Sequence, residues 1–172
     1  MIDVREILSE RRKASICNDI LRALPEWFGI EASIVDYVDK VQLMPFYAAY
    51  INEIPVGFVA IKVHNTFTAE VYVMGVLKEH HRKGIGEALI KSCDEYCNEH
   101  RIEYLTVKTL DSSREDEGYS KTRVFYLSMG FRPLEVFPLL WYEDNPCLFM
   151  AKFLPPPLTE KERELLKISL EG

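Results

Sequence analysis

The chain has 172 residues, 48% of them hydrophobic and 12% aromatic, with 21 Lys and Arg against 27 Asp and Glu and a formal charge of −6. That length fits one domain with a sizeable core, and that composition excludes a disordered chain. The acidic balance excludes a general nucleic-acid binder, no apolar run reaches the roughly 18 residues of a membrane span, and the charged start "MIDVREILSERRK" lacks a signal-peptide core, so a cytoplasmic protein is expected.

In chain order, "DVREIL" reads as a short strand and Lys13–Leu24 as a helix broken by "PEWFG". Glu31–Val41 resumes helical spacing. "FYAAYI" and "PVGFVAIKVH" read as strands joined by a turn at Asn52-Glu53, and "AEVYVMGVL" as a third strand after the turn "NTFT". Gly84 to about Asn98 is a helix, "IEYLTVKTL" a buried strand and "DSSREDEG" a polar loop. "SKTRVFYLSM" is a helix ended by Gly130, followed by the strands "FRPLEVF" and "CLFMAKFL". "PPP" stops the sheet, and "LTEKERELLKISL" is an amphipathic helix with Thr159 as its cap and Glu162 three residues on. The division expected is one domain over residues 1–154 and a tail over 155–172. In that tail Leu158, Leu165, Leu166, Ile168 and Leu170 offer an apolar stripe to the domain or to another subunit.

Cys17, Cys93, Cys97 and Cys147 form no CxxC pair, and His64, His80, His81 and His100 show no ligand spacing, so no metal is expected. Cys93 and Cys97 join Ile85, Leu89, Ile90 and Tyr96 in one apolar stripe, as reduced core thiols would.

The stretch "HRKGIG", His81 to Gly86, lies between a strand and a helix. It lacks the Lys-Ser/Thr pair of a nucleotide P-loop, because Glu87 and Ala88 follow Gly86. It lacks the third small residue of a dinucleotide fingerprint, because that place is Leu89. It fits R/Q-x-x-G-x-G/A, in which glycines free the backbone so that amides from about Arg82 to Ala88 face one anion at a helix N-terminus. Lys78, Arg82 and Lys83 outweigh Glu79 around it.

That loop resembles the acyl-coenzyme A loop of the GNAT acyltransferases, and "VFYLSMGF" (Val124–Phe131) resembles their second signature, F-Y-x-x-x-G-F. The resemblance covers roughly Ile51 to Leu154. It implies an α+β fold with a mixed, mostly antiparallel sheet, a splayed central strand pair and flanking helices. It implies an N-acetyltransferase that moves an acetyl group from acetyl-CoA to a primary amine of a small molecule or peptide, without a metal. A catalytically silent acyl-CoA sensor of the same fold is the alternative. Family members are often dimers, which leaves a homodimer open.

By the same resemblance, residues His81, Arg82, Lys83, Gly84, Ile85, Gly86, Glu87 and Ala88 bind the pyrophosphate. Met74 and Val76 pair with the pantetheine arm, beside a bulge that Gly75 signals in its strand. Tyr126 takes the second signature's tyrosine and serves the leaving thiolate, by a hydrogen bond or with a lowered pKa. Glu70, eleven residues before the loop and of one parity with Tyr72 and Met74, aligns with a glutamate base. The acceptor site maps to Leu24–Gly29 and Phe137–Pro146, giving Trp27, Trp141 and Glu143, since aromatic walls with acids suit a cationic amine. Two positions depart from the family pattern: His81 stands for Arg or Gln, and Tyr119 stands for a common Asn.

Overall fold

A computed structural model describes residues 1–171, with side chains through 169. The strands are β1 (Asp3–Glu6), β2 (Phe46–Ile51), β3 (Ile54–Val63), β4 (Thr68–Val76), β5 (Tyr104–Leu110), β6 (Arg132–Tyr142) and β7 (Asn145–Phe153). The helices are α1 (Glu10–Arg22), α2 (Glu31–Lys40), α3 (Ile85–Glu99), α4 (Glu117–Ser128) and α5 (Glu160–Glu171). One sheet runs β1-β2-β3-β4-β5-β7-β6, antiparallel at every joint except β4–β5. The expected α+β arrangement is present.

Local chemistry explains the boundaries. Asn52 and Glu53 both take left-handed φ, 49° and 64°, which suits a two-residue hairpin turn between twisted strands. The first helix begins at Glu10, three residues before the expected start, because the Ser9 hydroxyl accepts from the Arg12 amide at 3.2 Å. The fourth begins at Glu117 rather than Ser120, because the Asp116 carboxylate accepts from the Tyr119 amide at 3.0 Å. β6 continues past Phe137 to Tyr142, but its ladder with β7 slips between those residues. Pro138 lacks an amide and tolerates only such an outer-edge place. The expected loop over 137–146 is therefore a strand that leaves register and closes in a tight turn at Glu143 and Asp144.

Two apolar layers cover the sheet. On the α1/α2 face Phe46 and Phe58 stack at 5.1 Å against Ile16, Ile20 and Leu21. On the α3/α4 face Ile85, Leu89, Cys93, Leu105 and Phe131 pack together. Each large side chain so buried contributes about 1.5–3 kcal/mol. All four thiols are free and buried, and burial pushes those of Cys17 and Cys97 up to about 12.

The joint that matters for function is β4–β5. Only Thr68–Val71 pairs with Tyr104–Val107. Beyond that point Val73–Val76 keeps β3 as its partner and Lys108–Leu110 keeps β7, so the two central strands part. The tail helix stands off the domain: every described side chain from Pro155 onward is exposed, including Leu158, Leu165, Leu166 and Ile168. The stripe does not pack on its own domain, and the Leu170 side chain lies outside the described residues.

Candidate active site

The break in β4 is not at Gly75. The β3–β4 register passes from Ile61↔Val71 to Ala60↔Val73, which leaves Tyr72 as the extra residue of a bulge. Gly75 pairs regularly with Phe58. A Cβ there would stand 3.0 Å from Ile20 Cγ2 and 3.2 Å from Leu24 Cδ1, so this glycine lets α1 approach the sheet. The bulge also reverses the parity downstream of it. Tyr72 and Val73 both pack toward α1, while Met74 and Val76 join Val71 on the α3 face. Met74 therefore does not share a face with Tyr72, as simple alternation had implied.

The glycine loop follows. Leu77 leads through a short 3-10 turn, Lys78–His80, to His81, whose imidazole Nε2–H donates to the Val76 carbonyl at 2.7 Å. Arg82 and Gly84 take left-handed φ, 59° and 81°, and Gly84 caps α3. Among the described residues, the amides from Arg82 to Glu87 reach no backbone acceptor, and the first that does is that of Ala88, which donates to Gly84 at 3.0 Å. The free run thus covers six of the expected positions, and Ala88 falls outside it because its amide closes the first helical turn. Such a run at a helix N-terminus suits an anion of two phosphates. Arg82 and Lys83 are exposed beside it. Gly86 serves packing: a Cβ would stand 3.0 Å from the Phe125 ring of α4.

Tyr126 projects from α4 into the α3/α4 layer, 7% exposed, edge-on to Phe131 at 5.5 Å. Burial first, then Cys93, Tyr119 and Tyr37, holds its phenol far above the ordinary range. That direction runs opposite to the lowered pKa expected as one alternative for this residue. Tyr37 sits on α2 and packs edge-on to Tyr72, the bulged residue of β4, at 5.4 Å. Tyr37 carried no motif signal and was missed in the sequence. Thr109 was missed too: it is 2% exposed on the parted half of β5, and its hydroxyl has no partner among the described residues.

Glu70 is buried on β4 at 4% exposure. Its Oε2 accepts from Lys108 Nζ at 2.7 Å and its Oε1 lies 2.8 Å from His64 Nε2. Trp27 and Trp141 show no ring contact with each other among the described residues. Trp27 packs edge-on to His81 at 5.6 Å and lies where a Cβ on Gly118 would stand 3.2 Å from its indole. The Tyr119 hydroxyl donates to the Trp27 carbonyl at 2.9 Å, and Glu26 pairs with Lys78 at 2.6 Å. Trp141 is half-exposed on the slipped part of β6, and Glu143 is exposed at its turn. A shallow depression of about 700 Å³ around Leu43, Met44 and Pro45 contains none of these residues. Among the described residues no cluster of His, Cys, Asp and Glu could hold a metal, and no helix is long and apolar enough to cross a membrane.

A loop of free amides before α3, parted central strands and a signature tyrosine on α4 together define an acyltransferase scaffold. The sequence model of the GNAT acetyltransferase domain matches residues 43–133, and the chain belongs to that family. No curated protein matches it. Solved structures share the fold. An acetyltransferase of the GNAT family from Desulfovibrio desulfuricans superposes with a TM-score of 0.75 at 15% identity, covering 90% of this chain and 100% of its own. An aminoglycoside 6'-N-acetyltransferase complexed with coenzyme A gives 0.71 at 18% identity, covering 91% and 99%. The alanine N-acetyltransferase of a ribosomal protein from Escherichia coli gives 0.71 at 15% identity, covering 93% and 97%.

Proposed function

We propose that this protein is an N-acetyltransferase that transfers an acetyl group from acetyl-CoA to a primary amine, and that residues 1–154 form its catalytic domain. The observation that carries this reading is the run of unengaged amides from Arg82 to Glu87, set directly before α3 and beside the parted β4 and β5. Those amides hold the pyrophosphate, with Arg82 and Lys83 as counter-charge. The pantetheine arm enters between the strands along Met74 and Val76. The amine nitrogen attacks the thioester carbonyl carbon, a tetrahedral oxyanion forms, and it collapses with loss of the coenzyme thiolate. Tyr126 donates a hydrogen bond to that sulfur. Complete proton transfer from an ordinary phenol to a thiolate is uphill by roughly 2 kcal/mol, and the raised pKa of Tyr126 makes it costlier still. Glu70 serves removal of the amine's proton.

The acceptor is an amine on a small molecule or a peptide. The two named relatives above act on an aminoglycoside and on a protein alanine. Trp27, Trp141 and Glu143 are the candidates to meet it. The test is thiol release from acetyl-CoA over a panel of aminoglycosides, polyamines and short peptides, with coenzyme A binding measured in parallel. The acyl-CoA sensor is favoured by one observation: both Glu70 oxygens are already engaged. Tight coenzyme A binding with no thiol release on any amine selects it.

A further inference from the structure

The Glu70 carboxylate is the buried half of a pair. Its side chain is 5% exposed, whereas that of His64, in the turn after β3, is 35% exposed. A carboxylate only accepts, so at 2.8 Å the proton of this contact sits on His64 Nε2, and in the neutral imidazole Nδ1 then carries the lone pair. Lys108 takes the other carboxylate oxygen at 2.7 Å. Each Glu70 oxygen is thus held by a neighbouring side chain, whereas Nδ1 of His64, at the solvent edge of the cluster, has no partner among the described residues. A carboxylate that holds one imidazole nitrogen so that the other acts as base is a recurrent catalytic arrangement.

We infer that His64 Nδ1 is the proton acceptor for the incoming amine, directly or through one water, and that Glu70 is its positioning residue. This rests on the acyltransferase reading. In the step the ammonium N–H bond breaks, its electron pair stays on nitrogen and forms the bond to the thioester carbon, and the proton passes to Nδ1 and then to solvent. Glu70 stabilises the imidazolium, and Lys108 fixes Glu70.

The other groups near the pair are Lys62 from β3, Tyr72 from β4, Tyr37 from α2 and Cys147 from β7. Burial pushes both phenols up to about 12 and the Cys147 thiol up to about 11, so none of these three changes charge near neutrality. The proposed base acts only as the neutral imidazole, so activity has an ascending limb against pH.

The test combines kinetics with ¹⁵N NMR of the imidazole in the full chain. With acetyl-CoA and whichever of kanamycin or an alanine-initial hexapeptide turns over, H64A and H64Q lower kcat/KM on the order of 10²-fold and lose the ascending limb, with coenzyme A binding unchanged. E70Q moves the limb and shifts the tautomer away from Nε2–H. A wild-type pH profile in H64Q overturns the inference. So does loss of the limb in E70Q with H64Q unaffected, which makes Glu70 the base. If wild type releases no thiol, the acyltransferase reading has failed; the NMR still decides the pairing, and an Nδ1–H tautomer in wild type overturns it.

Discussion

The imidazole of His81 donates to the carbonyl of Val76 at 2.7 Å, tying the first residue of the glycine loop to the last residue of β4. Arg or Gln in that place could make the same bond, so the departure from the family pattern keeps its structural use. One such bond contributes about 1 kcal/mol net. His81→Ala should weaken coenzyme A binding by about 5-fold through a looser loop, and His81→Gln should stay within about 2-fold. Calorimetric titration measures both. Tighter binding by His81→Ala would show that the imidazole blocks the cofactor's arm instead.

The same region shows what sequence patterns carry. His81 to Gly86 and Val124 to Phe131 were legible because each motif is contiguous and its residue types follow from backbone need. The order of elements was legible for the same local reason. The bulge at Tyr72 was not, because a register slip depends on the facing strand, where Ala60 and Ile61 set the count. Gly75 drew attention as a strand glycine, but its cause is Ile20, 55 positions earlier in the chain. The contacts of Trp27 with His81, Gly118 and Tyr119 join three separate segments, and no local pattern records them.

Tyr126 is buried in an apolar layer, so a neutral hydroxyl is the form it presents at any working pH. Tyr126→Phe keeps the ring contact with Phe131 and removes only the donor. Turnover should fall by 10-fold or more with coenzyme A affinity nearly unchanged. Steady-state thiol release and a binding isotherm separate the two. Unchanged turnover would remove Tyr126 from the mechanism.

A methyl on Gly75 would stand 3.0 Å from Ile20 Cγ2, so Ile20 must give by a few tenths of an ångström, and overpacking of this kind costs about 1–3 kcal/mol. Gly75→Ala should lower Tm by several degrees. Ile20→Ala on its own leaves a cavity, yet with Gly75→Ala present it makes room. The double variant should be more stable than the sum of the single losses implies. Strict additivity in thermal melts would show that the methyl is accommodated elsewhere.

The tail should be dispensable for the fold. Its capping box is formed, since the Thr159 amide donates to Glu162 Oε2 at 2.7 Å, but its described side chains all face solvent. Leu154, 8% exposed, is the last buried residue. A chain ending at Pro155 should melt within about 2 °C of the full chain, because exposed residues contribute little to stability. A larger loss would mean that α5 packs on a surface, its own or a second copy's.

The segment from Glu26 to Trp27 bridges the glycine-loop region and α4. Glu26 holds Lys78 at 2.6 Å on the loop side. Trp27 touches His81 on that side and Gly118 on the α4 side, and Tyr119 anchors its carbonyl. In the proposed binding mode, with phosphates on the loop amides and the arm running toward Tyr126, the cofactor disturbs these contacts, because they lie beside the loop and beside α4. Trp27 and Trp141 are the only tryptophans in the chain. Titration with coenzyme A should therefore change the intrinsic fluorescence, and Trp141→Phe should keep the change while Trp27→Phe abolishes it. Glu26→Gln frees Lys78 for phosphate and should tighten binding by about 2- to 5-fold, in keeping with the modest worth of an exposed ion pair. A signal that survives in Trp27→Phe would place the arm away from this segment.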